Sequence, residues 1–319
     1  MNATDASAAA DLDEPHWVSR SAFQIVIILF ALSEIGLLFV LMSGASLWFA
    51  VPLVMVVSHL MHGAAVGFHE ASHGLLRRNR TFNEFDGVLI GVFSFMSFSL
   101  YRAAHQSHHA HFTTEKDEEL WPFVFTSTPR WKRVLTAFVE LNFGMFFTPA
   151  LFLRTFLRKN SPIRSKKVRK RIWKEFALMA VVWAVILPLV AFFGVWKYFL
   201  LMYFIPTFIA GNLQSWRKYI EHVGLTGSTI NSGTRSIVAD TWTGKLVAFT
   251  LLHEPYHGLH HLHVGLPHAE LPRLAPELEP IHPDEIRPFP SYRHAMVHLI
   301  RALADPKVGA QWHASDTRS

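Results

Sequence analysis

The sequence contains no cysteine. That removes disulfide scaffolds, cysteine zinc fingers, iron–sulfur proteins and every cysteine nucleophile from consideration. Charge is sparse too: Asp, Glu, Lys and Arg make up 17% of the chain, below the roughly 25% of a soluble domain. No Gly-x-Gly-x-x-Gly run follows a strand pattern, so a fused dinucleotide-binding domain is not expected. No His-Pro-Gly-Gly run marks a fused b-type cytochrome. Apolar residues fill half of the 319 positions, too many for a disordered chain. The net charge of +6 reads, in so apolar a chain, as a topology and lipid-headgroup signal. A nucleic-acid partner is not expected.

Long apolar runs set the architecture. Ala22 to Met42 holds 21 residues, about 32 Å as helix and enough to cross the hydrocarbon core. A tight turn at 43–46 leads to a return span, Leu47 to Phe68. Phe176 to Trp196 and Tyr198 to Gln214 read as a second hairpin. Gly87 to Leu100 is too short to cross and is expected to be re-entrant or interfacial. Val134 to Leu157 carries Glu140, Asn142, Pro149 and Arg154 and fits either a span or a surface helix. Basic residues crowd 158–174, with Arg77, Arg78, Arg80, Arg130, Lys132 and Arg133 before them, whereas the turns at 43–46 and 195–197 hold one Lys. The positive-inside rule then places both ends and the basic loops in the cytoplasm. The expected fold is an all-α membrane protein, with four transmembrane helices in two hairpins and a cytoplasmic, His-rich helical cap. The expected division is a disordered, acidic tail at 1–20, one membrane domain at 21–305 and a tail at 306–319. The Pro-rich stretch after 265 is expected to wrap the cytoplasmic face.

The 20 histidines are clustered: His69 and His73; His105, His108 and His109; His222; His257, His260 and His261. Positions i, i+3 and i+4 share a helix face, so each cluster can aim its imidazoles at one point. Imidazole suits iron, zinc, copper and nickel. Nine imidazoles exceed one ion's needs, which favours two metals with open positions. Glu70, Glu221, Glu254 and Asp117 are expected to accept hydrogen bonds from the histidines and orient them. Isolated histidines such as His16, His59, His62 and His268 are expected to be ordinary surface or packed residues.

Other chemistries compete. His69-Glu-Ala-Ser-His73 and His253-Glu-Pro-Tyr-His257 both match a zinc-protease motif, with Glu70 as the base in the first. Pro255 disfavours a helix through the second, and a protease leaves His105, His108, His109, His260 and His261 unexplained. Glu70-x-x-His73 and Glu254-x-x-His257 echo soluble di-iron carboxylate bundles. The only Glu residues inside apolar segments, Glu34 and Glu140, lie far in sequence from any His cluster. A metal transporter would carry its ligands along the spans; these lie beyond their ends.

His-x-x-x-His, His-x-x-His-His and a late His-x-x-His-His, on either side of a membrane hairpin, resemble the integral-membrane fatty acid desaturase and hydroxylase superfamily. The resemblance runs over about 55–275 and includes Gly74, Asn83, Tyr101-Arg102, Leu262 and Leu271-Pro272. It implies a non-haem di-iron centre of two Fe ions, O2 as co-substrate and a lipid-like acyl substrate. It implies His69, His73, His105, His108, His109, His257, His260 and His261 as box ligands, and His222 as the ninth. Glu221-His-Val-Gly looks like the matching element of the alkane-hydroxylase branch. Animal acyl-CoA desaturases carry Asn where this chain has Lys218. His253 stands where many members have Asn, and a supporting place beside the metals is expected for it. No catalytic residue is expected beyond the metal centre. The function read from this is O2-dependent desaturation of a fatty acyl chain, with hydroxylation of an acyl, alkane or terpenoid substrate as the alternative and a zinc protease more remote. Since nothing in the chain carries electrons, a ferredoxin or rubredoxin with its reductase is expected to dock on the basic cytoplasmic face. The setting read from the sequence is a bacterial inner membrane.

Overall fold

A computed structural model describes residues 17–316. The tail expected at 1–20 falls outside the described residues up to position 16, and the first described helix is Trp17–Met42. The main helices are α1 (Trp17–Met42), α2 (Ala50–His73), α3 (Arg80–Phe93), α4 (Phe98–Ala110), α5 (Arg130–Leu157), α6 (Lys166–Phe192), α7 (Ile205–His222), preceded by a π-helical turn at Phe199–Phe204, α8 (Trp242–Thr250), α9 (His257–Leu262), α10 (Tyr292–Ala302) and α11 (Gln311–Asp316). Among the described residues β-structure is limited to two isolated bridges, Leu225–Val308 and Ile237–Phe289. The fold is therefore all-α.

Among the described residues four helices are long and apolar enough to cross a membrane: Ala22–Met42, Leu47–His73, Arg130–Leu157 and Lys166–Phe192. The count matches the expectation, but one member differs. The helix around 134–157, left open between crossing and lying flat, qualifies. The segment expected as the fourth span does not, because the end of α7 nearer the cap carries Asn212, Gln214, Arg217, Lys218 and Glu221. Outward faces of the spans are apolar: Leu32, Ile35 and Phe39 on α1, and Val181, Val185 and Phe192 on α6, are exposed. Such a belt is stable only against lipid. The protein is a membrane protein.

The segment expected to be re-entrant is a bent helix pair, α3 and α4, meeting at 102°. The bend exposes backbone groups, and neighbouring side chains satisfy them. Trp183 Nε1 donates to Val92 O at 3.0 Å, and Tyr203 Oη donates to Phe93 O at 2.6 Å. At the start of α4, the buried Glu175 accepts from Ser97 Oγ at 2.6 Å, Ser99 N at 2.8 Å and Ser99 Oγ at 2.6 Å. A carboxylate at a helix N-terminus meets both the free N–H groups and the positive end of the dipole. Glu175 on α6 thereby anchors the helix that carries the second histidine cluster.

α5 and α7 cross at Gly144 and Gly211. A Cβ on Gly211 would lie 2.7 Å from the Met145 Cα, so only glycine permits the approach. Close contact through small residues is how membrane helices gain packing without a hydrophobic driving force. The α5 ladder breaks at Phe143 (φ −134, ψ 35). Asn212 of α7 fills the break, accepting from Gly144 N at 2.7 Å and donating to Asn142 O at 3.0 Å. After α7, α8 packs against α2 through Thr250 and His59, 2.7 Å apart, α9 packs on a 3-10 run at His268–Leu278, and α10 packs on α7. Trp312 donates through Nε1 to Phe123 O at 2.9 Å, tying the C-terminal stretch to the cap.

Candidate metal centre

Local structure fixes each histidine. α2 ends immediately after His73, with Gly74 in the left-handed conformation (φ 81) that stops a helix at glycine. Its last carbonyls are occupied by polar side chains. Asn83 Nδ2 donates to Ala71 O at 2.8 Å, Arg102 Nη2 to Ala71 O at 3.2 Å and Arg102 Nε to Ser72 O at 3.1 Å. The Tyr101 ring stacks on His105 at 5.2 Å. His222 sits on the last turn of α7, and α9 carries the final cluster, with Gly258 N donating to Ser236 Oγ at 2.8 Å.

All nine histidines converge, in two groups. Nε2 atoms of His69, His73, His105, His109 and His260 face one another: His69–His73 3.1 Å, His69–His260 2.9 Å, His69–His105 3.1 Å, His105–His109 3.1 Å and His109–His260 3.2 Å. The second group is His108, His222, His257 and His261. His222 and His257 Nε2 are 2.8 Å apart, and His257 and His261 Nε2 are 3.1 Å apart; His108, His222 and His261 lie within one 4.8 Å set. The groups adjoin, with His109 and His261 ring centroids 4.4 Å apart.

This arrangement corrects the expectation that each cluster aims at one point. The i, i+4 pairs 69/73, 105/109 and 257/261 stay together. The remaining residue of each triple crosses over: His108 joins the second group and His260 the first.

The donor set fits metal ions. Five Nε2 atoms in mutual contact cannot satisfy each other, since a hydrogen bond needs one donor and one acceptor per pair. Two nitrogens each about 2.1 Å from a common ion and at right angles are about 3.0 Å apart, which matches the separations found. The opposite ring nitrogens of three histidines are held by carboxylates, whereas those of His69 and His260 make no hydrogen bond. His108 Nδ1 meets Asp117 Oδ2 at 2.8 Å, His105 Nδ1 meets Glu119 Oε2 at 2.9 Å and His257 Nδ1 meets Glu254 Oε1 at 3.0 Å. An Nδ1–H donated to a carboxylate leaves the Nε2 lone pair free for metal. Glu254 also stands 3.2 Å from His69 Nδ1, so one carboxylate touches both groups.

Electrostatics agree for four of the rings; at His108 burial acts downward, but Asp117 outweighs it and raises the ring. Burial pushes His222, His260 and His261 well below the usual imidazole range, and burial lowers His257 to about 4 against the opposing pull of Glu254. These rings are neutral, the form that binds metal. For Glu254 burial acts upward, but His69 and Arg217 outweigh it and hold the carboxyl well below the carboxylate range. Arg217 Nη1 is 2.7 Å from Glu221 and 2.7 Å from Glu254.

Each anticipated acceptor has a definite place. Asp117 and Glu254 bond histidines, whereas Glu221 serves Arg217 and stays 3.6 Å from His257 Nδ1. Glu70 lies within 4.8 Å of Glu254 and His260, yet neither of its oxygens completes a hydrogen bond. His253 is not with the nine; its ring lies 6.2 Å from that of His268. The second protease-like run is not helical, since α8 stops at Thr250 and α9 starts at His257. Sequence reasoning missed Glu119, Arg217 and His268, a buried residue 3.5 Å from Glu70. Lys218, where animal enzymes carry Asn, pairs with Glu140.

The match to known proteins follows this geometry. The family model for fatty acid desaturases covers residues 46–293. This chain belongs to the fatty acid desaturase family. No curated protein matches it. Beside the desaturase histidines opens an apolar cavity of about 530 Å³, within the usual range for lipid-sized ligands. Glu119, Arg217 and Lys218 line its upper end; Phe30, Leu89 and Met202 line its depth. Along α7 and the turn before it, lining residues run from Met202 to Lys218, roughly 24 Å at helical rise.

Proposed function

We propose that this chain is an O2-dependent di-iron membrane oxidase that introduces a double bond into a fatty acyl chain. The observation that carries the proposal is the placement of two imidazole groups, one of five and one of four, beside a deep apolar cavity. His69, His73, His105, His109 and His260 would hold one iron, and His108, His222, His257 and His261 the other. With O2, the metals supply the oxidising power that an unactivated C–H bond requires. The protein contributes everything else. Asp117, Glu119 and Glu254 hold the imidazoles in one tautomer. The apolar walls bind the chain and exclude water, and Tyr101 and Phe68, both cavity-lining, pack where the cavity nears the first group.

The active site is read as cytoplasmic, from the basic loops on its side of the bundle. Two hydrogens leave the substrate for each O2 reduced to water, so two further electrons must come from outside. A ferredoxin or rubredoxin with its reductase is the proposed donor, steered by the basic face. The test is lipid profiling by mass spectrometry of a host expressing the chain with such a donor. New acyl species lighter by two hydrogens support desaturation. Species heavier by one oxygen would replace it with hydroxylation at the same centre.

A further inference from the structure

Glu34 is an ionisable residue inside an otherwise apolar membrane helix. Such residues are costly in hydrocarbon and by default mark a functional contact. Ile27, Phe30 and Glu34 share one face of α1, and all three line the cavity. Among the described residues Glu34 has no hydrogen-bond or ion-pair partner, and its Oε2 is buried. The other charges lining the cavity are all committed: Glu119 to His105, Arg217 to Glu221 and Glu254, and Lys218 to Glu140.

Its depth follows from the hairpin register. Gly67 packs on Phe23, Gly63 on Val26 and Gly36 on Leu53. Glu34 is therefore level with Met55, fourteen residues and roughly 20 Å below His69. The carboxyl stands at the end of the cavity remote from the histidines.

We propose that Glu34 binds a hydroxyl group at the far end of the substrate, so that the preferred substrate is a hydroxyl-terminated lipid and not a plain hydrocarbon chain. A buried carboxyl atom without a partner is unfavourable, and a ligand hydroxyl supplies the missing donor. A hydroxyl pairs with the carboxyl as donor or as acceptor and brings no charge into the hydrocarbon, whereas an ammonium group would. An all-carbon tail would leave Glu34 unsatisfied in every turnover. The proposal rests on the cavity being the substrate channel.

The test is equilibrium binding of radiolabelled stearate and ω-hydroxystearate, with palmitate and ω-hydroxypalmitate as the shorter pair, to the full chain in nanodiscs. The wild type should bind the hydroxy acid of at least one pair about tenfold more tightly, as expected of a hydrogen bond to a carboxyl group. Glu34→Leu, apolar and compatible with a membrane helix, should erase the preference while still binding the plain acid. Glu34→Gln, which keeps an acceptor, should retain part of it. Equal binding of both members of each pair by the wild type, or a preference unchanged in Glu34→Leu, overturns the proposal and leaves the substrate channel intact. If no acid binds at all, the channel reading fails and the proposal fails with it.

Discussion

Glu254→Gln should weaken metal binding more than any other single change outside the histidines. Glu254 is fully buried and touches three partners: His257 Nδ1 at 3.0 Å, His69 Nδ1 at 3.2 Å and Arg217 Nη1 at 2.7 Å. The two histidines belong to different groups, so one substitution disturbs both. Loss of an acceptor that orients a metal-bound histidine typically costs 10–100-fold in affinity or rate. The hydrogen bond to His257 sets an expected loss of about 10–100-fold, to which the 3.2 Å ion-pair contact with His69, whose Nδ1 makes no hydrogen bond, adds. Arg217 keeps Glu221 as a partner, which limits the added penalty for the buried cation. Chelator competition on purified protein, with iron content read in parallel, measures the affinity directly. Asp117→Asn touches only His108 among the nine and should cost less. A Glu254→Gln protein that held metal as tightly as the wild type would refute the reasoning, and with it the role of this carboxylate as the bridge between the groups.

Two further outcomes are expected. Lys218→Met leaves Glu140, which is fully buried, with the Tyr219 hydroxyl at 3.0 Å as its remaining partner, and should destabilise the protein by about 3 kcal/mol, the low end for a broken buried pair; a double change with Glu140→Gln should recover most of it, and a thermal melt in detergent unaffected by the single change would contradict this. His253, lowered to about 4 by burial and then by His268, is neutral when folded and protonates more readily when unfolded. Its contribution is thus present above about pH 6.5 and lost as pH falls toward 4, up to about 3 kcal/mol. His253→Gln should flatten that part of the stability–pH curve, and an unaltered curve would show that the ring does not titrate as described.

Much of the site was legible because short-range spacing is a physical constraint. The i, i+4 pairs had to share a helix face, and they do. The crossing over of His108 and His260 was not legible, because it depends on how α4 and α9 face each other across the cap. Asp117 was legible as an acceptor, but Glu119, two residues on, was not: only the fold of the loop after α4 decides which carboxylate reaches which ring. Span assignment failed at one helix for a related reason. α7 is apolar where it lines the depth of the cavity and polar where it meets the histidines, so its sequence averages two environments. α5 carries Glu140, Asn142 and Arg154, which look surface-like in sequence. In the fold Glu140 pairs with Lys218, the Asn142 carbonyl accepts from Asn212, and Arg154 Nη1 donates to Glu118 at 3.2 Å.

The central claim is that nine imidazoles hold two irons. Elemental analysis of purified, iron-loaded full-length protein decides it, with His73→Ala and His261→Ala measured alongside. The expected result is about two irons per chain in the wild type, and a loss of iron in each variant, because His73 and His261 belong to different groups. One zinc per chain, with hydrolytic activity lost on Glu70→Gln, would contradict the claim and restore the protease chemistry that His69-Glu-Ala-Ser-His73 allows.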